Sequence, residues 1–199
     1  ARFWDADEGE VLVGGVNVKD IPKKELMDNI TMVFQNTKVF KDSLRENIVF
    51  GKENVKEEEI NNGIDLSQSR AIIESLPNGL DTVIGSKGTY LSGGEQQRIA
   101  LARAFVKNAP IVLLDEATAF ADPENEHLIQ KALKKLSSGK TTLMIAHRLT
   151  SVQNVDRILV IENGRIAETG THEELLDKDG IYKAMWDEYQ KSIGWKLVV

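Results

Sequence analysis

Two stretches constrain this chain more than any others. Leu91-Ser92-Gly93-Gly94-Glu95-Gln96-Gln97-Arg98 is followed shortly by Ile111-Val112-Leu113-Leu114-Asp115-Glu116. The first puts a serine and two glycines ahead of a run rich in Ala, Arg and Gln, which reads as one helix from Ser92 to about Lys107. Ser92 can cap that helix, and with Glu95 it forms the Ser-x-x-Glu pattern of a capping box. Gly93 and Gly94 let backbone N–H groups come close to an anion, and the helix dipole favours a phosphate there. The second stretch is an apolar strand ending in two carboxylates. In open α/β folds ligands bind at the carboxyl edge of the sheet. Asp115 there can hold Mg²⁺, mostly through water. Glu116 can serve as a general base or orient an attacking water. Alone, the second stretch is equally a buried strand followed by an acidic helix cap; the pair together argues against that bland reading.

The rest of the chain supplies a frame for these two pieces. Glu10 to Val18 reads as two short strands joined at Gly14-Gly15. Pro22-Lys23 starts a short helix, and Ile30 to Phe34 is a strand ending at Gln35. From there to about Val106 the pattern is helical: Ser43–Ile48, Glu57–Ile64, a continuation from Ser67 to Leu76 stopped by Pro77-Asn78-Gly79, then the helix from Ser92. Beyond Pro110, the apolar runs Ile111–Leu114, Thr142–Ala146 and Ile158–Glu162 alternate with helices or turns, the amphipathic run Glu124–Leu136 among them. That alternation predicts a parallel sheet with helices packed on it. Asn163-Gly164 predicts a hairpin in which Arg165–Thr169 pairs with the preceding strand. Thr171 to Tyr189 reads as two helices broken at Asp179-Gly180, and the final Gly194–Val199 as either a tail or a small docking patch.

Bulk properties exclude several function classes. The net charge is −6 over 199 residues, which argues against a general nucleic-acid partner. With no cysteine there is neither a disulfide nor a cysteine-ligated zinc. No apolar run approaches the roughly 20 residues needed to span a bilayer.

Taken together, the Ser92 and Asp115 stretches resemble the signature and Walker B motifs of ATP-binding cassette (ABC) ATPases. The resemblance runs through nearly the whole chain. It implies an α/β, P-loop NTPase-like (RecA-like) parallel-sheet core over 1–35 and 107–199. An antiparallel β part accompanies that core, and a helical subdomain is inserted over 36–106. Gln35 is similar to the Q-loop glutamine, which touches the metal site beside Asp115 and senses a membrane domain. Asp122, after Ala117-Thr118-Ala119-Phe120-Ala121, is similar to the D-loop aspartate at the dimer seam. His147, after Leu143–Ala146, is similar to the switch histidine on the γ-phosphate; His127 and His172 are expected on solvent faces. Phe34-Gln35-Asn36, Ser43–Ile48 and Asp81–Gly88 look like the exporter branch of the family.

That resemblance implies ATP and Mg²⁺ as cofactors, and a dimer with a second nucleotide-binding domain. Ser92, Gly93, Gly94 and Glu95 would then face nucleotide held by the partner, while Gln35, Asp115, Glu116 and His147 act on the chain's own. It also implies a transmembrane domain of the same transporter and a place on the cytoplasmic face of a membrane. A soluble ABC ATPase of DNA repair is the weaker alternative, since no long heptad run interrupts the cassette.

One departure stands out. No G-x-x-x-x-G-K-[ST] occurs in the 199 residues. Ser138-Gly139-Lys140-Thr141-Thr142 imitates its end, but the position of the leading glycine is Lys134, inside a predicted helix. The resemblance places the phosphate loop ahead of Ala1 and makes Ala1–Phe3 the end of the helix after it, so the cassette is expected to be truncated before or within that helix. Without the loop's lysine and N–H groups, the chain alone is expected not to bind ATP tightly or turn it over. It is also expected to expose apolar surface on its core. This keeps a third reading open, a non-enzymatic fragment that only dimerises or docks.

Overall fold

A computed structural model describes residues 1–34, 37–85, 89–115, 123–146 and 148–196. These form two compact units, Ala1–Ile145 and Ala146–Val199.

The first unit is built on a parallel sheet of three strands in the order β3-β4-β5. These are β3 (Ile30–Val33), β4 (Ile111–Asp115) and β5 (Thr141–Ile145). Ahead of them, β1 (Leu12–Val13) and β2 (Val16–Asn17) make the expected hairpin, with Gly14 and Gly15 both at positive φ. Helix α1 (Lys23–Asp28) follows, with Pro22 at its N-cap rather than inside it. Around β3 and β4 the sheet is packed on both faces, the usual arrangement of a parallel sheet. Val33, Val112 and Leu114 pack with α5 (Gly93–Lys107) and α6 (Pro123–Ser137) through Leu101, Ala104, Ile129 and Leu136. Ile30, with Met32, Ile111 and Leu113, packs on the other face against Leu26 of α1 and Val18. On β5, Leu143 and Ile145 stay 60% and 59% exposed, the kind of apolar surface expected on this core.

The helical layer comprises α2 (Leu44–Val49), α3 (Glu57–Leu66), α4 (Arg70–Glu74) and α5. Its own apolar cluster joins Leu44, Ile48, Ile60, Ile64, Ile72 and Ile73 to Ile99, Ala102 and Val106 of α5. The helical run predicted from Ser67 to Leu76 is cut short. Gln68 adopts positive φ, and the buried hydroxyls of Ser67 and Ser69 bond each other at 2.8 Å. Short polar side chains compete with the helical ladder in this way, so α4 begins only at Arg70. At the chain start, Ala1–Phe3 are not helical; Arg2 has φ 55° and its guanidinium bonds Asp5.

The first strand of the second unit is β6 (Ile158–Glu162). It pairs antiparallel with β7 (Arg165–Gly170) in a separate two-stranded sheet. The predicted turn sets this pairing: Asn163 and Gly164 both take positive φ, 50° and 74°, the geometry of a two-residue hairpin turn. Ile158 and Val160 pack on Leu175 of α7 (His172–Asp177) and Tyr182 of α8 (Ile181–Lys196). Asp179, at φ 53°, marks the predicted break between these helices, and the second runs past Tyr189 to Lys196. The Glu168 carboxylate accepts from the N–H groups of Ile181 and Tyr182, satisfying the open end of α8 with a favourable charge. His172 is not on a solvent face. It is partly buried, with Nδ1 2.8 Å from the Tyr182 hydroxyl and its ring edge-on to Trp186. No helix among the described residues is long and apolar enough to cross a membrane.

Gly63 sets how closely α3 approaches α5. A Cβ there would stand 2.8 Å from Val106 Cγ2 and 3.1 Å from the Ala102 carbonyl oxygen. Gly63→Ala therefore overpacks the layer and is expected to destabilise the fold by about 1–3 kcal/mol. Urea unfolding checks this: the midpoint falls while the slope holds. An unchanged midpoint would mean that the two helices separate without cost.

Candidate functional site

The N-terminus of α5 is the best-defined part of the site. Ser92 takes extended backbone and its Oγ accepts from the Glu95 N–H at 3.3 Å. The Glu95 carboxylate in return accepts from the Ser92 N–H at 2.7 Å. This is the predicted capping box, and it aims Glu95 at its own helix. Ser92 keeps its hydroxyl proton, because in the cap its oxygen is only an acceptor. Gln96 closes the entry by donating to the Leu91 carbonyl at 2.8 Å.

The two signature-like glycines differ in their surroundings. Nothing lies within 4 Å of a Cβ built on Gly93, whereas one on Gly94 would meet Asn125 Cγ of α6 at 2.8 Å. Gly93 is exposed and Gly94 is buried. Gly93 thus offers an open N–H at a helix start, and Gly94 lets α6 pass close by.

Asp115 ends β4, half-buried and in register with Ile145 of β5. Val33 is in register with Leu114 on the other side. All three strands run the same way, so their carboxyl ends stand side by side. In sequence, Gln35 comes two residues after Val33, Glu116 one after Asp115, and His147 two after Ile145. The expectations for Gln35, Glu116, Asp122 and His147 themselves fall outside the described residues. The chemistry open to Asp115 is that of a hard oxygen ligand at a sheet edge, which suits Mg²⁺ held partly through water. The residues that are described therefore fit a magnesium–phosphate ligand in two respects: a carboxylate at the strand end and an open, capped helix start.

The decoy Ser138–Thr142 forms no phosphate cradle. Gly139 takes φ 70° in the turn after α6, and Thr141 already begins β5. One polar cluster escaped sequence reading altogether. Asn47 of α2 is fully buried and bonds both the preceding loop and Arg103 of α5. Asparagine and arginine on helices normally read as exposed, so only the tertiary contact reveals them.

Comparison with known proteins agrees with this geometry. The family profile described as "ABC transporter" matches residues 1–119. An ATP-dependent lipid A-core flippase of Desulfotalea psychrophila is 44% identical over 186 residues, covering 94% of this chain and 32% of the flippase. The protein of the same name in Chromobacterium violaceum is 45% identical over 181 residues, covering 91% of this chain and 31% of that protein. Among solved structures, a bacterial Atm1-family ABC exporter with ATP bound matches with TM-score 0.86 at 38% identity, over 94% of this chain and 33% of the exporter. The chain spans about a third of the length of the relatives it matches. The P-loop NTPase type of α/β fold expected from the sequence is the fold observed. This chain belongs to the ABC transporter family.

Proposed function

We propose that this chain is part of the nucleotide-binding domain of an ABC exporter, a domain that couples ATP binding and hydrolysis to transport across a membrane, and that the chain alone is inactive. The observation that carries this reading is the register of β3, β4 and β5. It sets three adjacent carboxyl ends in line, and in sequence Gln35, Glu116 and His147 follow them within two residues. The likeness to an ATP-bound exporter over 94% of this chain supports it.

In this reading Asp115 and Gln35 hold the magnesium ion, which when bound neutralises charge on the β- and γ-phosphates. Glu116 takes the proton of the attacking water or orients it, and His147 contacts the γ-phosphate. Ser92 donates its free hydroxyl proton, and Gly93 its N–H, to nucleotide held by a second nucleotide-binding domain, with Asp122 at the seam between the two. Gly94 adds its backbone N–H to the same turn, and its lack of a side chain admits Asn125 of α6. Glu95 serves this turn by holding Ser92. The helical layer 36–106 carries the signature-like turn, and the core of 1–35 and 107–199 carries the strand ends. A transmembrane domain of the same transporter is the mechanical partner, which places the domain on the cytoplasmic face of the membrane.

A second reading has one observation in its favour: the 199 residues hold no G-x-x-x-x-G-K-[ST]. Taken alone, the chain is then a dimerising or docking fragment without turnover.

Calorimetric titration of this chain with MgATP tests whether the chain alone holds a phosphate site. No saturable heat is expected, because the lysine and N–H cradle for the β- and γ-phosphates is missing from the sequence; saturable, magnesium-dependent binding would mean that the remaining residues form a phosphate site of their own. In a polypeptide that carries a phosphate loop, Glu116→Gln is expected to stop hydrolysis, retain ATP binding and favour a closed dimer. Unchanged turnover would remove Glu116 from the base role. His147→Ala is expected to lower kcat by about 10²-fold or more; a normal rate would make His147 structural.

A further inference from the structure

We propose that Asn47 and Arg103 are positioning residues. They clamp the segment 37–43, which follows Gln35 in sequence, to the signature helix α5, so that the two move as one body. The inference rests on the functional reading above, in which Ser92 at the start of α5 acts on nucleotide.

The contacts are unusually dense for one amide side chain. Asn47 is 0% exposed. Its Oδ1 accepts from the Phe40 N–H at 2.7 Å. Its Nδ2 lies within bonding distance of the carbonyls of Phe40, Ser43 and Asp42, at 3.0, 2.9 and 3.4 Å. A single side chain thus holds both backbone groups of Phe40 and the turn into α2. Arg103 reaches the same residue from α5. Its Nε donates to the Asn47 carbonyl at 2.7 Å, and its Nη2 to Asn47 Oδ1 at 3.4 Å.

The guanidinium is held from a second side. Phe40 and Phe50 stack at 4.4 Å with 28° between their rings. Arg103 Cζ stands 5.2 Å from the first ring and 5.7 Å from the second, within cation–π range of both. Burial pushes the Arg103 guanidinium below its ordinary pKa, yet an arginine stays charged under any physiological condition. Two further backbone bonds, Leu44 N–H to Thr82 O and Ile84 N–H to Asp42 O, fasten the same turn to residues 82–84, which lead back towards Ser92.

These bonds leave the turn little freedom to shift without α5. Loops normally move independently of the helices beneath them. This one is tied to α5 through a buried amide and a stacked cation. Coupling between two sites needs such a physically continuous link with discrete geometry. The bland alternative is a clamp that only stabilises the layer, and it predicts loss of stability with no selective effect on turnover.

The test uses the intact transporter polypeptide. Hydrogen exchange is followed in peptides covering 37–43 and 91–98, with and without MgATP, alongside kcat and KM for ATP. In the wild type both segments are expected to change protection together when MgATP is added. Arg103→Ala is expected to lose the change in 37–43 while keeping it in 91–98. Its KM should stay near that of the wild type and its kcat should fall about tenfold. Arg103→Lys keeps one donor for the Asn47 carbonyl but cannot lie flat across both rings. It is expected to fall between the two, and it decides the matter should the alanine variant not fold. Linked exchange and wild-type kcat in these variants overturn the proposal. So does a loss of kcat that follows melting temperature alone. A wild type that hydrolyses no MgATP overturns the functional reading itself, whereas one that hydrolyses it with unlinked segments overturns only the clamp.

Discussion

Helix α5 is the constraint on which the first unit depends. Ile99, Ala102 and Val106 face the helical layer, while Leu101 and Ala104 face the sheet. These two sets follow helical spacing on two separate faces, so the helix is apolar on both sides at once. Ile99 and Leu101 are fully buried, each worth about 1.5–3 kcal/mol of burial. Alanines at 100, 102 and 104 keep the neighbours close. On one side Gly63 brings α3 within contact of Val106, and on the other Gly94 admits Asn125 of α6. A bulkier helix could not be shared by two cores.

Because the middle of α5 is fixed, its two ends can have different duties. The C-terminal end is tied down. Asn108 closes it in the left-handed conformation, and Lys52 donates to the Val106 carbonyl at 2.9 Å. Lys107 reaches across to the Met27 carbonyl at 2.7 Å. Such groups satisfy the last carbonyls and suit the negative end of the dipole. The N-terminal end is capped by Ser92 and Glu95, and Gly93 beside them stays open. The positive end of an anchored helix is thus presented in a fixed direction, with one hydroxyl proton and one backbone N–H uncommitted by the cap. The clamp of Asn47 and Arg103 adds a third attachment midway, to a turn that follows Gln35.

The second functional element, the sheet edge, rests on parallel register. Asp115 and Ile145 end β4 and β5 in register, and Val33 ends β3 opposite Leu114, one residue earlier, so the three carboxyl ends share one edge. The energy that sets this register comes from both faces. A slip of one residue would turn Val112 and Leu114 away from α5 and α6 and put Ile111 and Leu113 in their place. Packing that has nothing to do with phosphate therefore decides where Asp115 stands.

Much of this was legible in the sequence. The Ser92 cap, β4 ending in carboxylates, the Asn163-Gly164 hairpin and most helix starts carry local signals: a short polar cap, a period, a turn dipeptide. Those signals act within a few residues, so the sequence by itself determined them. It also determined membership of the family, because the Ser92 and Asp115 runs are contiguous. Tertiary structure decided what local signals cannot encode. It broke the run from Ser67 to Leu76, through a buried serine pair. It drew His172 from an expected solvent face to Tyr182 and Trp186. It split the glycine pair into an open Gly93 and a packing Gly94. It also buried Asn47 beneath Arg103. Each of these depends on partners distant in the chain or on which rival polar contact is satisfied first, and hydrophobic periodicity holds no record of either.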